Sequence, residues 1–492
     1  MTTDTTTRTL ELQHLVGGAW VQGDGPEARS TDPATTADDV AQYHTATEGL
    51  LEEAMTAARE AARAWDRLGI LARGRILRRA AEILTDRAEE IAQLMTREQG
   101  KTLADSRGEV GATVETLYYQ ASCARRADGA TFPSAHPEEV IRTIRRPVGT
   151  VAVITPWNFP LQIPAWKIAP ALLWGNTVVW KPASHTPAVA VAFAEILEEA
   201  GVPAGVLNLL LGPGSLGGKL VAHPQAGAVT FTGSVPVGHK IREAVVARNA
   251  KLQMELGGHN AAIVLPDADL DSAAEAIVAA AMSSTGQKCT ATRRIIAVGE
   301  CYDALVSALT ARVEALRVGP GAQVGTDIGP VVTGDAREEI TAAIEQAVAE
   351  GAQILAQAPL PQGAGHYVAP TLLAGTPALT ISRDEVFGPV TTVLRAGDLE
   401  EAIELANATD YGLTASVFTR DERAVRRCLD DLVAGLIKVN GPSTGSEVHG
   451  PFGGLRDSSF PAPREQNGDS AAEFFTLTKT AYLRLAPAGD VS

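Results

Sequence analysis

From residue 148 onward the sequence alternates two incompatible periods, and that alternation restricts the fold more than any other feature. Short runs rich in β-branched residues (VGTVAVI, NTVVWK, GVLNLLL, AVTFTG) are separated by helix-patterned segments such as PAVAVAFAEILEEAG. A strand, a crossover helix and a second strand form a parallel βαβ unit, whose ligands gather outside the C-terminal strand ends. After Asn260 the pattern restarts with AAIVLP, DLDSAAEAIVAAAM, RRIIAV and DALVSALTARVEAL, which predicts a second α/β unit. No repeat, low-complexity tract or Pro-rich linker divides the two, so the boundary is set at Gly257 and Gly258.

Two amphipathic helices precede this region. Leu51, Met55, Ala58, Ala62 and Trp65 form the stripe of the first, and Leu77, Ala81, Leu84, Ala88, Ile91 and Met95 that of the second. Both are expected to cover one face of a sheet. VIRTIRRPV and EFFTLTKTAYLRL read as strands that pair with each other or with a second subunit, because exposed edges invite a partner.

Composition excludes several function classes. The net charge of -16 repels phosphate backbones, so no nucleic-acid partner is expected. The start MTTDTTTRTLELQHL lacks a secretory pattern and no segment is apolar for membrane-spanning length. Only 4 Cys occur in 492 residues, none spaced as a ligand pair. The expectation is a cytoplasmic protein with separate thiols, no metal site and no membrane partner.

Candidate chemistry sits at the strand ends. GPGSLG (212–217) has the spacing of a dinucleotide fingerprint, but no Asp or Glu occurs from Lys219 to Arg242, so a plain strand-to-helix turn is the better reading. In FTGSVPVG, Gly233 and Ser234 open a helix and could offer N–H groups to a phosphate. Lys181 ends a buried strand and reads equally as a ligand or as a snorkelling side chain. Glu255 ends KLQMELGG, where burial of a carboxylate favours a base over an ion pair. Cys289 lies in TGQKCTATRR beside Lys288, Arg293 and Arg294, positive neighbours that should lower a thiol pKa; a nucleophile is preferred over a core thiol.

Taken together, TPWNFP (155–160), WKPASHTP (180–187), FTGS (231–234), MELGG (254–258), GQKC (286–289), EVFGP (385–389) and PFGG (451–454) resemble the aldehyde dehydrogenase superfamily through nearly the whole chain. GQKCTAT and PSTGSEVHGPFGG are most similar to the α-ketoglutaric semialdehyde (2,5-dioxopentanoate) dehydrogenases. The resemblance implies an α/β fold with a Rossmann-like NAD(P)-binding domain (1–130 and 148–257), an α/β catalytic domain (258–460) and a small β oligomerisation extension (131–147 and 472–492). It also implies a homodimer or homotetramer acting on a small-molecule aldehyde.

By the same resemblance, Cys289 attacks the aldehyde, the Asn158 amide and the Cys289 N–H hold the oxyanion, and Glu255 activates the hydrolytic water. Lys181, Ser184, Trp157, Gly233, Ser234, Glu385 and Phe387 are the implied cofactor residues. Ser184 stands where NAD-preferring relatives often carry a glutamate, so NADP is expected to be accepted, even preferred, alongside NAD. Phe159 and Gln162 are the implied substrate residues; Arg293 departs from the pattern, standing where many relatives carry a serine, and reads as a bidentate partner for a substrate carboxylate or as a structural ion pair. Glu465 and Lys167 look like residues of a proton path and of the site floor. A carboxylate-bearing semialdehyde is the expected substrate. An aromatic or pathway-specific aldehyde is the alternative, and a non-catalytic descendant is disfavoured because Cys289, Glu255 and Asn158 are all intact.

Overall fold

A computed structural model describes residues 8–126, 128–460 and 466–484. Its first sheet has eight strands, in spatial order Ser459–Phe460, Lys251–Glu255, Ala226–Thr232, Thr150–Ile154, Thr177–Lys181, Leu207–Leu209, His14–Val16 and Ala19–Val21. The central five are parallel. Their residues are buried almost without a break, which is why they read as continuous apolar runs rather than as alternating ones.

After the edge strands His14–Val16 and Ala19–Val21, the chain begins the parallel part of this sheet in the middle, at Thr150–Ile154. It steps outward to Thr177–Lys181 and Leu207–Leu209, then crosses back to lay Ala226–Thr232 on the other side. The two crossovers depart in opposite directions, so a crevice opens beyond the carboxyl ends of Thr150–Ile154 and Ala226–Thr232.

The second sheet has the order Gln353–Gln357, Thr371–Ala374, Val390–Ala396, Thr292–Val298, Asn260–Val264, Thr414–Phe418 and Leu436–Val439. All its pairs are parallel except that of Gln353–Gln357. In the third sheet Thr476–Arg484 pairs with Glu139–Pro147 along its whole length, so the two expected strands do pair with each other.

Several expectations need correction. Helix Glu48–Arg67 buries Leu51, Met55, Ala58 and Trp65 and packs on the first sheet, but Ala62 is only half-buried. The second expected helix is two, Ile70–Asp86 and Ala88–Gln99, divided at Arg87 with φ −98 and ψ 11. One residue off helical geometry leaves the apolar stripe in phase, so periodicity alone does not show the break. These helices pack on helices Leu103–Cys123 and Pro187–Glu199, not on the sheet. Ser459–Phe460, at the end of the expected catalytic segment 258–460, returns to pair with Lys251–Glu255 in the first sheet. Among the described residues, no helix is long and apolar enough to cross a membrane.

Candidate active site

Glu255 is the last residue of its strand and is 2% exposed. Its Oε1 accepts from the Ser459 hydroxyl at 3.0 Å, and Ser459 also donates to the Met254 carbonyl at 3.1 Å. The two glycines that follow make room for what must lie alongside. A Cβ on Gly257 would stand 2.1 Å from the Glu385 carboxylate, and one on Gly258 would stand 2.5 Å from the Cys289 carbonyl. Glu385 in turn accepts from the Gly258 N–H at 3.1 Å.

Cys289 follows a tight turn in which Ser284, Thr285 and Gly286 all have left-handed φ of 50°, 58° and 65°. Gly286 is required there, because a Cβ would meet the Gly388 carbonyl at 2.1 Å. The Cys289 carbonyl accepts from Asn260 Nδ2 at 2.7 Å, which pins the nucleophile loop to the second sheet. Asn158, 5% exposed, donates from Nδ2 to the Gln287 carbonyl at 3.0 Å. The strand ends thus bring the thiol, the amide and the carboxylate to the same crevice.

Electrostatics at the thiol differ from the sequence expectation. Burial first, then the negative charges of Glu385 and Glu255, push the Cys289 thiol up to about 12, and Arg293 opposes them only weakly. The positive neighbours are spent elsewhere. Lys288 donates to the Ser283 hydroxyl at 2.8 Å, and Arg294 donates to the carbonyls of His259, Leu405 and Ala406.

Arg293 does not present its fork to a substrate. It is 3% exposed and donates to the carbonyls of Gly388 at 2.7 Å, Gly286 at 2.6 Å and Lys288 at 3.3 Å. Its guanidinium also lies 5.7 Å from the centre of the Phe387 ring. Its place is structural, tying the nucleophile turn to the segment that carries Glu385.

On the cofactor side, Lys181 and Ser184 follow one strand, Trp157 follows its neighbour, and Phe387 meets Trp157 edge-on with ring centres 5.8 Å apart. Burial lowers Lys181 to about 8. Ser184 donates to the Gly212 carbonyl at 2.9 Å, which places GPGSLG beside it as a turn opening helix Gly214–Ala222. The Gly233 N–H donates to the Glu255 carbonyl at 3.1 Å, so it is not the phosphate donor expected from the sequence. Ser234 remains at the N-terminus of helix Val235–Val246, where the helix dipole suits a phosphate. Glu385 is pushed up to about 6 by burial. A helix N-terminus, a lysine and a carboxylate around this crevice fit a dinucleotide.

Phe159 packs with Ile163, Trp166, Leu413 and Phe452 against Cys289, and Gln162 is half-buried next to them. Ile163, Trp166, Leu413, Phe452 and Ser459 were not singled out from the sequence. Lys167, fully buried, is lowered by burial to about 7 and donates to Thr230 at 2.9 Å and Gln466 at 2.6 Å. Glu465 and the rest of 461–465 lie outside the described residues, as do 485–492. Among the described residues no group of three or more His, Cys, Asp or Glu could hold a metal ion.

Fold and site define an α/β protein with two large, mostly parallel sheets and a buried thiol at the edge of a crevice that fits a dinucleotide. The aldehyde dehydrogenase family matches residues 20–481, and the chain belongs to that family. It is similar to the alpha-ketoglutaric semialdehyde dehydrogenase of Bacillus subtilis (strain 168), 41% identical over 96% of this chain and 98% of that protein. Among solved structures, a putative methylmalonate-semialdehyde dehydrogenase from Sinorhizobium meliloti 1021 complexed with NAD matches with a TM-score of 0.95. It is 33% identical over 99% of this chain and 100% of that one. A 3,6-anhydro-L-galactose dehydrogenase in complex with NADP matches with a TM-score of 0.92, 34% identical over 96% and 100%. The protein is an aldehyde dehydrogenase that uses a nicotinamide dinucleotide.

Proposed function

We propose that this chain oxidises a carboxylate-bearing semialdehyde such as 2,5-dioxopentanoate to the acid, with Cys289 as nucleophile, Glu255 as base and Asn158 as oxyanion donor. The observation that carries the reading is the convergence of these three side chains at the dinucleotide end of the first sheet. The likeness to the Bacillus subtilis enzyme supports the substrate.

In this mechanism the thiolate sulfur bonds to the aldehyde carbon, and the carbonyl oxygen becomes an oxyanion facing the second N–H of the Asn158 amide and the Cys289 N–H. The nicotinamide ring, when bound, accepts the hydride and supplies positive charge beside the thiol. Glu255 then takes a proton from a water that attacks the remaining thioester. The C–S bond breaks and the acid leaves. Burial, then the charges of Glu385 and Glu255, hold the thiol protonated at rest, so its proton passes to Glu255 and on to solvent before the sulfur attacks.

Lys181, Trp157, Ser184, Ser234, Glu385 and Phe387 form the cofactor site. With a hydroxyl and no carboxylate at position 184, NADP is accepted together with NAD. Phe159 and Gln162 line the aldehyde side. With Arg293 engaged by carbonyls, the polar donors left there are Gln162 and the buried Trp166 Nε1, which has no partner among the described residues. The aromatic wall of Phe159, Trp166 and Phe452 favours a second reading, an aromatic aldehyde.

Unpaired thiols at Cys123, Cys289, Cys301 and Cys428 suit the cytoplasm. Exposed Leu477, Tyr482 and Val140 on the third sheet suit assembly as a homodimer or homotetramer. The test is cofactor reduction with 2,5-dioxopentanoate, succinic semialdehyde and benzaldehyde, each with NAD and NADP. A preference for 2,5-dioxopentanoate is expected, and a preference for benzaldehyde would overturn the substrate.

A further inference from the structure

Directly behind Asn158 lie two buried charges that this mechanism does not use. Lys101 and Glu109 both have 0% side-chain exposure, with Nζ and Oε2 2.6 Å apart. Burying two ions costs solvation on each, which only good geometry and further hydrogen bonds offset. Here those bonds run to one stretch of chain. Lys101 Nζ donates to the Asn158 carbonyl at 2.6 Å and stands 4.5 Å from the centre of the Phe159 ring. Glu109 Oε1 accepts from the N–H groups of Leu161 at 2.9 Å and Gln162 at 3.1 Å, at the start of helix Gln162–Leu173. One ion pair therefore grips both ends of the segment 158–162.

The same support reaches the nucleophile. Asp105, one turn before Glu109 on helix Leu103–Cys123, accepts from the Ser284 N–H at 3.2 Å, inside the left-handed turn that leads to Cys289. Lys101 has little room to shift. A Cβ on Gly321 would meet its carbonyl at 2.3 Å, and one on Gly329 would meet the Gly100 carbonyl at 2.1 Å. Catalytic groups must be held to within about 0.5 Å, and a peptide carbonyl gripped by an ammonium fixes the peptide from which the Asn158 side chain springs.

We infer that the Lys101–Glu109 pair is a positioning device that aims the Asn158 amide at the oxyanion formed on Cys289. This rests on the reading of Asn158 given above. The pair is placed to touch neither aldehyde nor cofactor; it also holds the backbone of Leu161 and Gln162, and its effect on the chemical step runs through the Asn158 amide.

The test is single-turnover cofactor reduction in the full-length enzyme, read as a first-order rate constant, which does not depend on the fraction of the protein that is folded. Lys101→Met and Glu109→Gln should each slow the step by about tenfold or more, short of the roughly hundred- to thousandfold that loss of a whole oxyanion donor costs, and leave cofactor affinity unchanged. Because the pair acts through the amide, Asn158→Ala/Lys101→Met should be no slower than Asn158→Ala. Unchanged rate constants, or effects that multiply in the double variant, would overturn the inference. If Lys101→Met does not fold, Glu109→Gln alone and combined with Asn158→Ala decides it in the same way. An unimpaired Asn158→Ala enzyme would instead remove the oxyanion role of Asn158 itself, which separates the two failures.

Discussion

At the scale of single residues, the proposed chemistry rests on a thiol that the resting protein keeps protonated. Burial and the charges of Glu385 and Glu255 raise Cys289 to about 12, so its thiolate fraction grows with pH throughout the neutral and mildly alkaline range. Alkylation of the cofactor-free enzyme by iodoacetamide should therefore rise about tenfold per pH unit from 7 to 10. A plateau near pH 8 would mean that the thiol is not raised. Cys289→Ala should abolish oxidation. Glu255→Gln should give one burst of reduced cofactor and then stall at the thioester, and an unchanged steady-state rate would remove Glu255 as the base. Ser184→Glu should weaken NADP far more than NAD, because a carboxylate there repels a 2′-phosphate; equal losses would place that phosphate elsewhere. Cys289 and Glu255 were legible in the sequence by their own short motifs, and Asn158 only through the family resemblance. The use of Arg293 was not, since its carbonyl partners Gly286 and Gly388 are brought to it only by folding.

At the scale of elements, the parallel strands were legible because burial on both faces writes them as apolar runs. The short antiparallel edges His14–Val16, Ala19–Val21 and Ser459–Phe460 were not, since two or three residues carry no period. The same limit hid the support of helix Pro187–Glu199. Glu98, buried on helix Ala88–Gln99, accepts from the Ala188 and Val189 N–H groups at 2.9 and 3.0 Å and from Ser30 at 2.7 Å. Burial nevertheless raises it to about 7, above the ordinary carboxyl value of 4.5. The folded protein thus binds a proton there that the unfolded chain has already released between those values, so this group's contribution to stability falls as pH rises through that window. Glu98→Gln keeps the shape and removes the titration. The variant's melting temperature should therefore improve relative to the parent protein's between pH 5 and 7.5. A constant difference would show that Glu98 does not titrate there.

At the scale of the whole molecule, the unresolved balance lies in the third sheet. Thr476–Arg484 is its outer strand, and it presents Leu477 at 47%, Tyr482 at 65% and Leu483 at 38% exposure, with Val140 at 46% on the neighbouring strand. An edge of this length with large apolar side chains is a template for pairing unless another chain covers it. The rest of the molecule is well guarded by contrast, since the formal charge of -16 opposes nonspecific association. Assembly through this edge would have to overcome that repulsion by burying apolar area, and it would weaken if charge were added where the area is lost. Leu477→Lys/Tyr482→Lys should lower the mass seen by light scattering to that of one chain and make melting independent of protein concentration. The first sheet and Cys289 lie on other elements, so titratable Cys289 should survive in the variant. An unchanged mass would move the interface off the third sheet, with exposed Val237 and Val246 on helix Val235–Val246 as the next apolar surface to charge.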